Sequence, residues 1–272
     1  DGNAALVVHK PAGIATQAAQ GIESLETILR EQLADRTNYL AFPHRLDRPV
    51  SGVILVATRK RAARLLSDQF ASRKVHKIYH AWVTGKVQPH ELGLWVDHVR
   101  KITGKPLTEI VESSSEGAQI AETQASLRAY DVSANRSLLE LSPQTGRMHQ
   151  LRVQTAHRGF PIIGDLQYGG NRLLAEPIDL DGEPHSTRHH PPSESPEMAS
   201  QPVSEAPPPS ATPQFTASEQ EIPASDRELK VSDLEIPTSD RILLQAHQIT
   251  FHNPSNGVLQ TVTASDEPSE SV

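Results

Sequence analysis

The sequence predicts an α+β fold, on three observations. Short apolar runs of strand type are interspersed with stretches whose apolar residues recur at helical spacing, and no regular strand-helix-strand repeat links them. Composition changes sharply at about Glu176, so order is expected before that point and again from about residue 241. With 272 residues, 36% of them hydrophobic, the chain is long enough to bury a sizeable core as one large domain or two small ones.

The elements follow in order. LVVHKPAG reads as a short strand stopped by Pro11 and Gly13, and SLETILREQL places Leu25, Ile28, Leu29 and Leu33 at helical spacing. HRLDRPVSG, His44 to Gly52, holds too many charged and turn-forming residues for a core element; it leads into VILVA, which suits a buried strand. Thr58 is placed to cap the next helix, RKRAARLLSDQFASR. Ala62, Leu65, Leu66 and Phe70 mark one face of it, and Arg59, Lys60, Arg61, Arg64 and Arg73 crowd elsewhere. Such a cluster is by default a solvated face, the alternative being a phosphate track. KIYHAWV and SLLELS alternate as strands do, and MHQLRVQTAH reads as an amphipathic stretch closed by Gly159.

Twelve of the 21 prolines lie in residues 176–240, with Phe215 as the single aromatic residue there. Such a stretch cannot bury enough apolar surface to offset its ordering entropy, so it is expected to be disordered, and His185, His189 and His190 within it are given no role. Beyond it, ILLQAHQITF and VLQTVTA flank HNPSNG as a hairpin expected to pair with the sheet of the first 175 residues. The expected organisation is one domain from 1–175 plus 241–264, an insertion at 176–240 and a disordered tail at 265–272.

The absence of cysteine removes disulfides, thiolate metal sites and cysteine nucleophiles. No run of eighteen apolar residues and no basic-then-apolar leader occurs, so no membrane partner is expected and the setting read is cytoplasmic. The net charge of −7 is unevenly spread: residues 1–175 carry 22 Lys+Arg against 16 Asp+Glu, or +6, and residues 176–272 carry 4 against 17, or −13. The basic part suits a phosphate backbone and the acidic part does not.

Asp47 is the residue that points to chemistry. It lies between Arg45 and Arg48, whose guanidinium groups would keep its carboxylate ionised, fit to act as nucleophile or base. Taken alone, this arrangement suits a structural loop aspartate better than a catalytic one. Gly146, Gly159, Gly164 and Gly169 read as turns and caps, because no phosphate-loop pattern surrounds them.

Four separated blocks change the balance: HKPAG at 9–13, HRLDRPVSG at 44–52, KIYHAWVTG at 77–85, and TGRMHQLRV…GFPIIGD…YGG from 145 to 170. In this order they resemble the RluA-type pseudouridine synthases, which turn uridine into pseudouridine in RNA. The resemblance implies a mixed, mostly antiparallel sheet with a cleft beside the HRLD loop, and no metal, nucleotide or redox cofactor. It implies that Asp47 attacks the target uridine, that Tyr79 stacks on the base and takes the proton from carbon 5, and that Arg152 pairs with the aspartate. Arg45 resembles the arginine that helps extrude the nucleotide. His44, Arg147, His149 and Gln150 flank these positions and are expected to bind substrate, with polar packing open for the two histidines.

The expected partner is ribosomal or transfer RNA, acted on by a monomer. Two departures from the family pattern stand in the loop, Pro49 and Val50 in place of an acidic residue and a threonine. They leave room for a catalytically inactive RNA-binding protein of the same fold, and an aspartate-dependent hydrolase is a more distant alternative.

Overall fold

The computed structural model describes residues 4–171 and 241–264. The expected insertion at 176–240, with its three histidines, and the expected tail at 265–272 lie outside the described residues. In chain order the elements are β1 (Ala5–Lys10), α1 (Leu25–Gln32), β2 (Ser51–Ala57), α2 (Lys60–Ala71), β3 (His76–Thr84), β4 (Gly93–Lys101), β5 (Thr108–Val111), β6 (Gln119–Asp131), β7 (Arg136–Pro143), α3 (Gln150–His157), β8 (Leu244–His252) and β9 (Leu259–Thr263). Among the described residues, no helix is long and apolar enough to cross a membrane.

All these strands join one sheet in the order β1-β2-β8-β3-β7-β6-β4-β5, with β9 paired to β8. The pairings are antiparallel except that of β2 with β8, which confirms the expected mixed, mostly antiparallel sheet. The hairpin of β8 and β9 does pair with the sheet. Its first strand enters the middle, between β2 and β3, rather than extending an edge.

VILVA is apolar without alternation because β2 is covered on both faces. Ile54 and Val56 join Leu25 and Leu29 of α1 and its C-cap Leu33, together with Leu139, Leu141 and Leu244, in the larger core cluster. Val53, Leu55 and Ala57 turn the other way, to Ala62 and Leu66 of α2 and Phe251 of β8. The start of α1 is fixed by a reciprocal cap, in which Ser24 Oγ accepts from Thr27 N and Thr27 Oγ1 accepts from Ser24 N.

Three local expectations are corrected. Arg59, not Thr58, is the N-cap of α2, and it has no side-chain capping bond. Leu65 is 37% exposed, so the apolar face of α2 rests on Ala62 and Leu66, with Phe70 partly buried. The third helix is not amphipathic: Gln150 to Thr155 are all buried, with α3 packed against β4, β5 and the turn at Leu166–Tyr168.

Candidate active site

Asp47 opens a tight turn, closed by a hydrogen bond from Val50 N to Asp47 O (3.1 Å), just ahead of β2. The segment after β1 holds this loop. Thr16 Oγ1 donates to Leu46 O (2.9 Å) and accepts from Leu46 N (3.1 Å), while Gly13 N donates to Arg48 O and Arg48 Nε donates to Gly13 O, each at 2.8 Å. Under both loops lies Lys10, with 0% exposure. Its ammonium donates to Pro11 O and Ile14 O at 2.8 Å and to Arg48 O at 3.3 Å. Burial brings its pKa down to about 7, against the opposing pull of the Asp47 carboxylate. The HKPAG and HRLD blocks are thus two halves of one scaffold.

Among the described residues, the guanidinium within ion-pair distance of Asp47 is that of Arg152, with Nη1 to Oδ2 at 3.6 Å. Arg152 is the partner that the resemblance names; of the sequence neighbours expected to keep the carboxylate ionised, Arg48 turns its Nε to Gly13, and exposed Arg45 lines the surrounding cavities. Arg152 is 2% exposed and is gripped from behind by Asp165, Nε to Oδ2 at 2.6 Å and Nη2 to Oδ1 at 2.8 Å, with Gln167 Oε1 accepting from Nη2 at 2.7 Å. Burial works against its charge, but Asp165, and then Asp47, outweigh that and hold the guanidinium above its usual pKa. The Tyr168 ring lies 5.1 Å from its centre.

His149 sits at the start of α3 in the left-handed region, φ 53°. A histidine adopts this backbone only with local support. Its Nδ1 meets the Tyr168 hydroxyl at 2.9 Å and its Nε2 lies 3.7 Å from Asp47 Oδ2. Burial lowers its pKa; Asp47 opposes the shift, and the Arg152 charge reinforces it.

Tyr79 follows a β-bulge in the pairing of β3 with β8, between Ile78 and Tyr79, a feature that re-aims a side chain. Its half-buried ring lines a cavity of about 620 Å³ together with Asp47, Arg152, Phe70, Lys77 and His149. Burial, reinforced by the Asp47 charge, pushes the phenol pKa well above its ordinary value. A second cavity of about 530 Å³ shares Arg45, Asp47, His149 and Arg152 with the first.

The remaining sequence candidates separate. Arg147 lines the larger cavity, its Nε donating to Ile120 O at 3.0 Å. His44 also lines it, but its Nε2 accepts from Leu55 N at 2.8 Å and its ring stacks on Phe70. Burial, aided by the Lys77 cation, takes its pKa down to about 3, so it stays neutral. Gln150 corrects its expectation. It is 4% exposed, its Oε1 accepts from Thr145 Oγ1 and Arg147 N, and its Nε2 donates to Glu122 O and Thr123 Oγ1, which leaves none of its amide for a ligand.

Sequence reasoning gave no role to Lys10, Lys77, Asp165 or Tyr168. Each stands in one of the four blocks, and that membership was the signal available. Among the described residues, no three His, Asp or Glu side chains lie close enough to hold a metal ion.

Over residues 4–157 the chain matches the family described as RNA pseudouridylate synthase, and it belongs to that family. The tRNA pseudouridine synthase C of Haemophilus ducreyi is 35% identical over 184 residues, covering 63% of this chain and 74% of that protein. The ribosomal large subunit pseudouridine synthase C of Buchnera aphidicola is 31% identical over 176 residues, 63% of this chain and 53% of that protein, and the Escherichia coli protein of the same name is 32% identical over 168 residues, 60% and 50%. The chain spans about half the length of most of these relatives. Among solved structures, human RNA pseudouridylate synthase domain containing 4 superposes with a TM-score of 0.60 at 20% identity, covering 97% of this chain and 86% of that one. The human domain containing 1 protein gives 0.58 at 20% identity, 96% and 80%. The fold is therefore that of the pseudouridine synthases.

Proposed function

We propose that this chain isomerises uridine to pseudouridine in structured RNA, ribosomal or transfer, with Asp47 as nucleophile. The observation that carries the reading is the contact of Asp47 with buried Arg152 on the wall of a cavity that Tyr79 also lines. The relatives named above, with ribosomal and transfer RNA in their names, support the substrate class.

The reaction rearranges one nucleoside. The bond from C1′ of the sugar to N1 of uracil breaks, the base turns, C1′ bonds to C5, and the proton of C5 is lost while N1 gains one, so nothing is consumed. A carboxylate suits this work because it can hold the sugar or the base while the other moves, and it needs no base to activate it. Arg152, anchored by Asp165, offers Asp47 a preorganised positive charge.

Taking the nucleotide out of its stack costs a few kcal/mol, and the Tyr79 ring is the aromatic surface that receives it. The phenol is held protonated while Asp47 is free. Once Asp47 is bonded to substrate its charge is gone, which relieves the Coulombic part of the Tyr79 shift; the phenol can then pass its proton toward N1 and take the C5 proton in its place, ending as it began. In this reading Arg45 fills the space that a flipped nucleotide vacates, Arg147 and His149 contact the substrate, and His44 positions the loop. We propose no metal or cofactor in the reaction, and a monomer in the cytoplasm as the working form.

Asp47→Asn keeps the size of the side chain and removes its charge. In a transcript assay, product should fall on the order of 10⁴-fold or more, while RNA affinity stays within a few-fold. Retained turnover would refute the nucleophile. An unsubstituted chain that binds RNA yet forms no product would instead point to an inactive RNA-binding protein. Val50 is 3% exposed, set in the core, and the Asp47 turn closes despite Pro49, so neither departure opens the loop.

A further inference from the structure

Helix α2 carries cations that its own stability does not call for. Arg59, Lys60, Arg61 and Arg64 are all exposed, and the first turn holds no acidic residue. Positive side chains at that end oppose the helix dipole, so their placement costs helix stability. Their counter-charge is thin: Arg64 Nε lies 4.0 Å from Asp68 Oδ2, with side chains 87% and 67% exposed, a pair worth little.

The geometry connects these cations to the cavity. Lys60 and Arg64 are four residues apart and Ala71 lies seven beyond Arg64, so the three share a face of the helix, with Arg61 three residues before Arg64 beside them. Ala71, with Phe70 before it and Arg73 after it, lines the large cavity that holds Asp47 and Tyr79. Arg73 is held to Glu122 at 3.4 Å and remains 60% exposed. The basic stripe therefore ends at the cavity wall, and Lys60 stands about 16 Å upstream of it along the helix.

We propose that this face of α2 is a phosphate track for a folded RNA, gripping the backbone of the segment that flanks the nucleotide seated in the cavity. The proposal rests on the RNA reading above and deepens it. Phosphate contacts of this kind position the nucleic acid and carry no sequence information, which suits exposed Lys and Arg on a rigid helix.

The test uses the full chain, an unmodified tRNA transcript as probe, and the triple substitution Lys60→Gln, Arg61→Gln, Arg64→Gln, which keeps length and polarity. The control removes three exposed cations elsewhere, Lys86→Gln, Lys101→Gln and Arg128→Gln. Each lost phosphate contact lowers the slope of log affinity against log salt by roughly 0.7–0.9, so the stripe variant should lose about 2 from the slope and at least about tenfold in affinity near 0.1 M salt. The control should lose less than half of that. In turnover, KM should rise while kcat at saturating RNA stays within about twofold. Equal losses in both triples would reduce the effect to net charge and overturn the track, as would an unchanged slope or a fall in kcat alone. Should the unsubstituted chain form no pseudouridine, the salt comparison still decides the track, while the enzymatic reading fails separately.

Discussion

Each residue of the site is defined more by what holds it than by where it falls in the chain. Arg152 has one end on Asp165 and the other facing Asp47, so its charge is compensated from behind and directed forward. A buried arginine without such a partner would leave an uncompensated charge, worth several kcal/mol. Lys10 does the same for the backbone, gathering three carbonyls beneath the nucleophile loop. Its titration makes a prediction. The unfolded chain releases this proton near 10.5 and the folded chain near 7, so between those values the unfolded state binds more protons and rising pH favours folding. Below about pH 7 both states hold the proton, and the full cost of burying the charge is present. Comparing denaturant midpoints of the protein and its Lys10→Met variant at pH 7 and pH 9, the difference should move in favour of the unsubstituted protein at the higher pH. A constant difference would show that Lys10 keeps an ordinary pKa. The variant should also lose about 1–3 kcal/mol at pH 9, where the carbonyls lack their donor.

At the scale of elements, the joint between β2 and β8 is the most exacting. These strands run parallel for only two residue pairs, Ser51 with Gln245 and Gly52 with Ala246. Gly52 has φ 118°, and a methyl group there would fall on the backbone of Ala246. The glycine that ends the HRLDRPVSG block is thus required by a strand nearly two hundred residues later. Gly52→Ala should destabilise the protein by on the order of 3 kcal/mol, from backbone strain and collision together, read as a lower denaturant midpoint. A neutral effect would mean that the two strands separate easily. The helices and strands with strong local patterns were legible beforehand: the apolar spacing of α1, the unbroken run of β2, and the alternation of β3 and β7. The strands β4, β5 and β6 were not. Leu94, Val96 and Ile120 on them are exposed, which blurs the contrast on which a strand pattern depends.

For the whole molecule, the closing hairpin supplies buried side chains to the middle of the sheet. We propose that 1–175 and 241–264 form one domain, and the pairing of β8 with both β2 and β3 supports this. A chain ending at residue 175 would lose Ile242, Leu243, Leu244, Ile249 and Phe251, all buried. Burying such side chains is worth about 1.5–3 kcal/mol each, and five of them are comparable with the total of about 5–15 kcal/mol that holds a domain together. The truncated chain should therefore show no cooperative thermal transition by circular dichroism. A sharp transition at an unchanged temperature would mean that the first segment is self-sufficient.

The sequence alone determined the class of fold, the family and the position of the candidate nucleophile, because short motifs and apolar periodicity are local properties that each stretch carries with it. It did not determine that Gln150 is turned inward, or that β8 lies mid-sheet. Those outcomes depend on contacts with other segments of the chain, β6 for Gln150 and β2 and β3 for β8. Only folding decides them, since only in the folded chain do these segments meet and satisfy one another's polar groups.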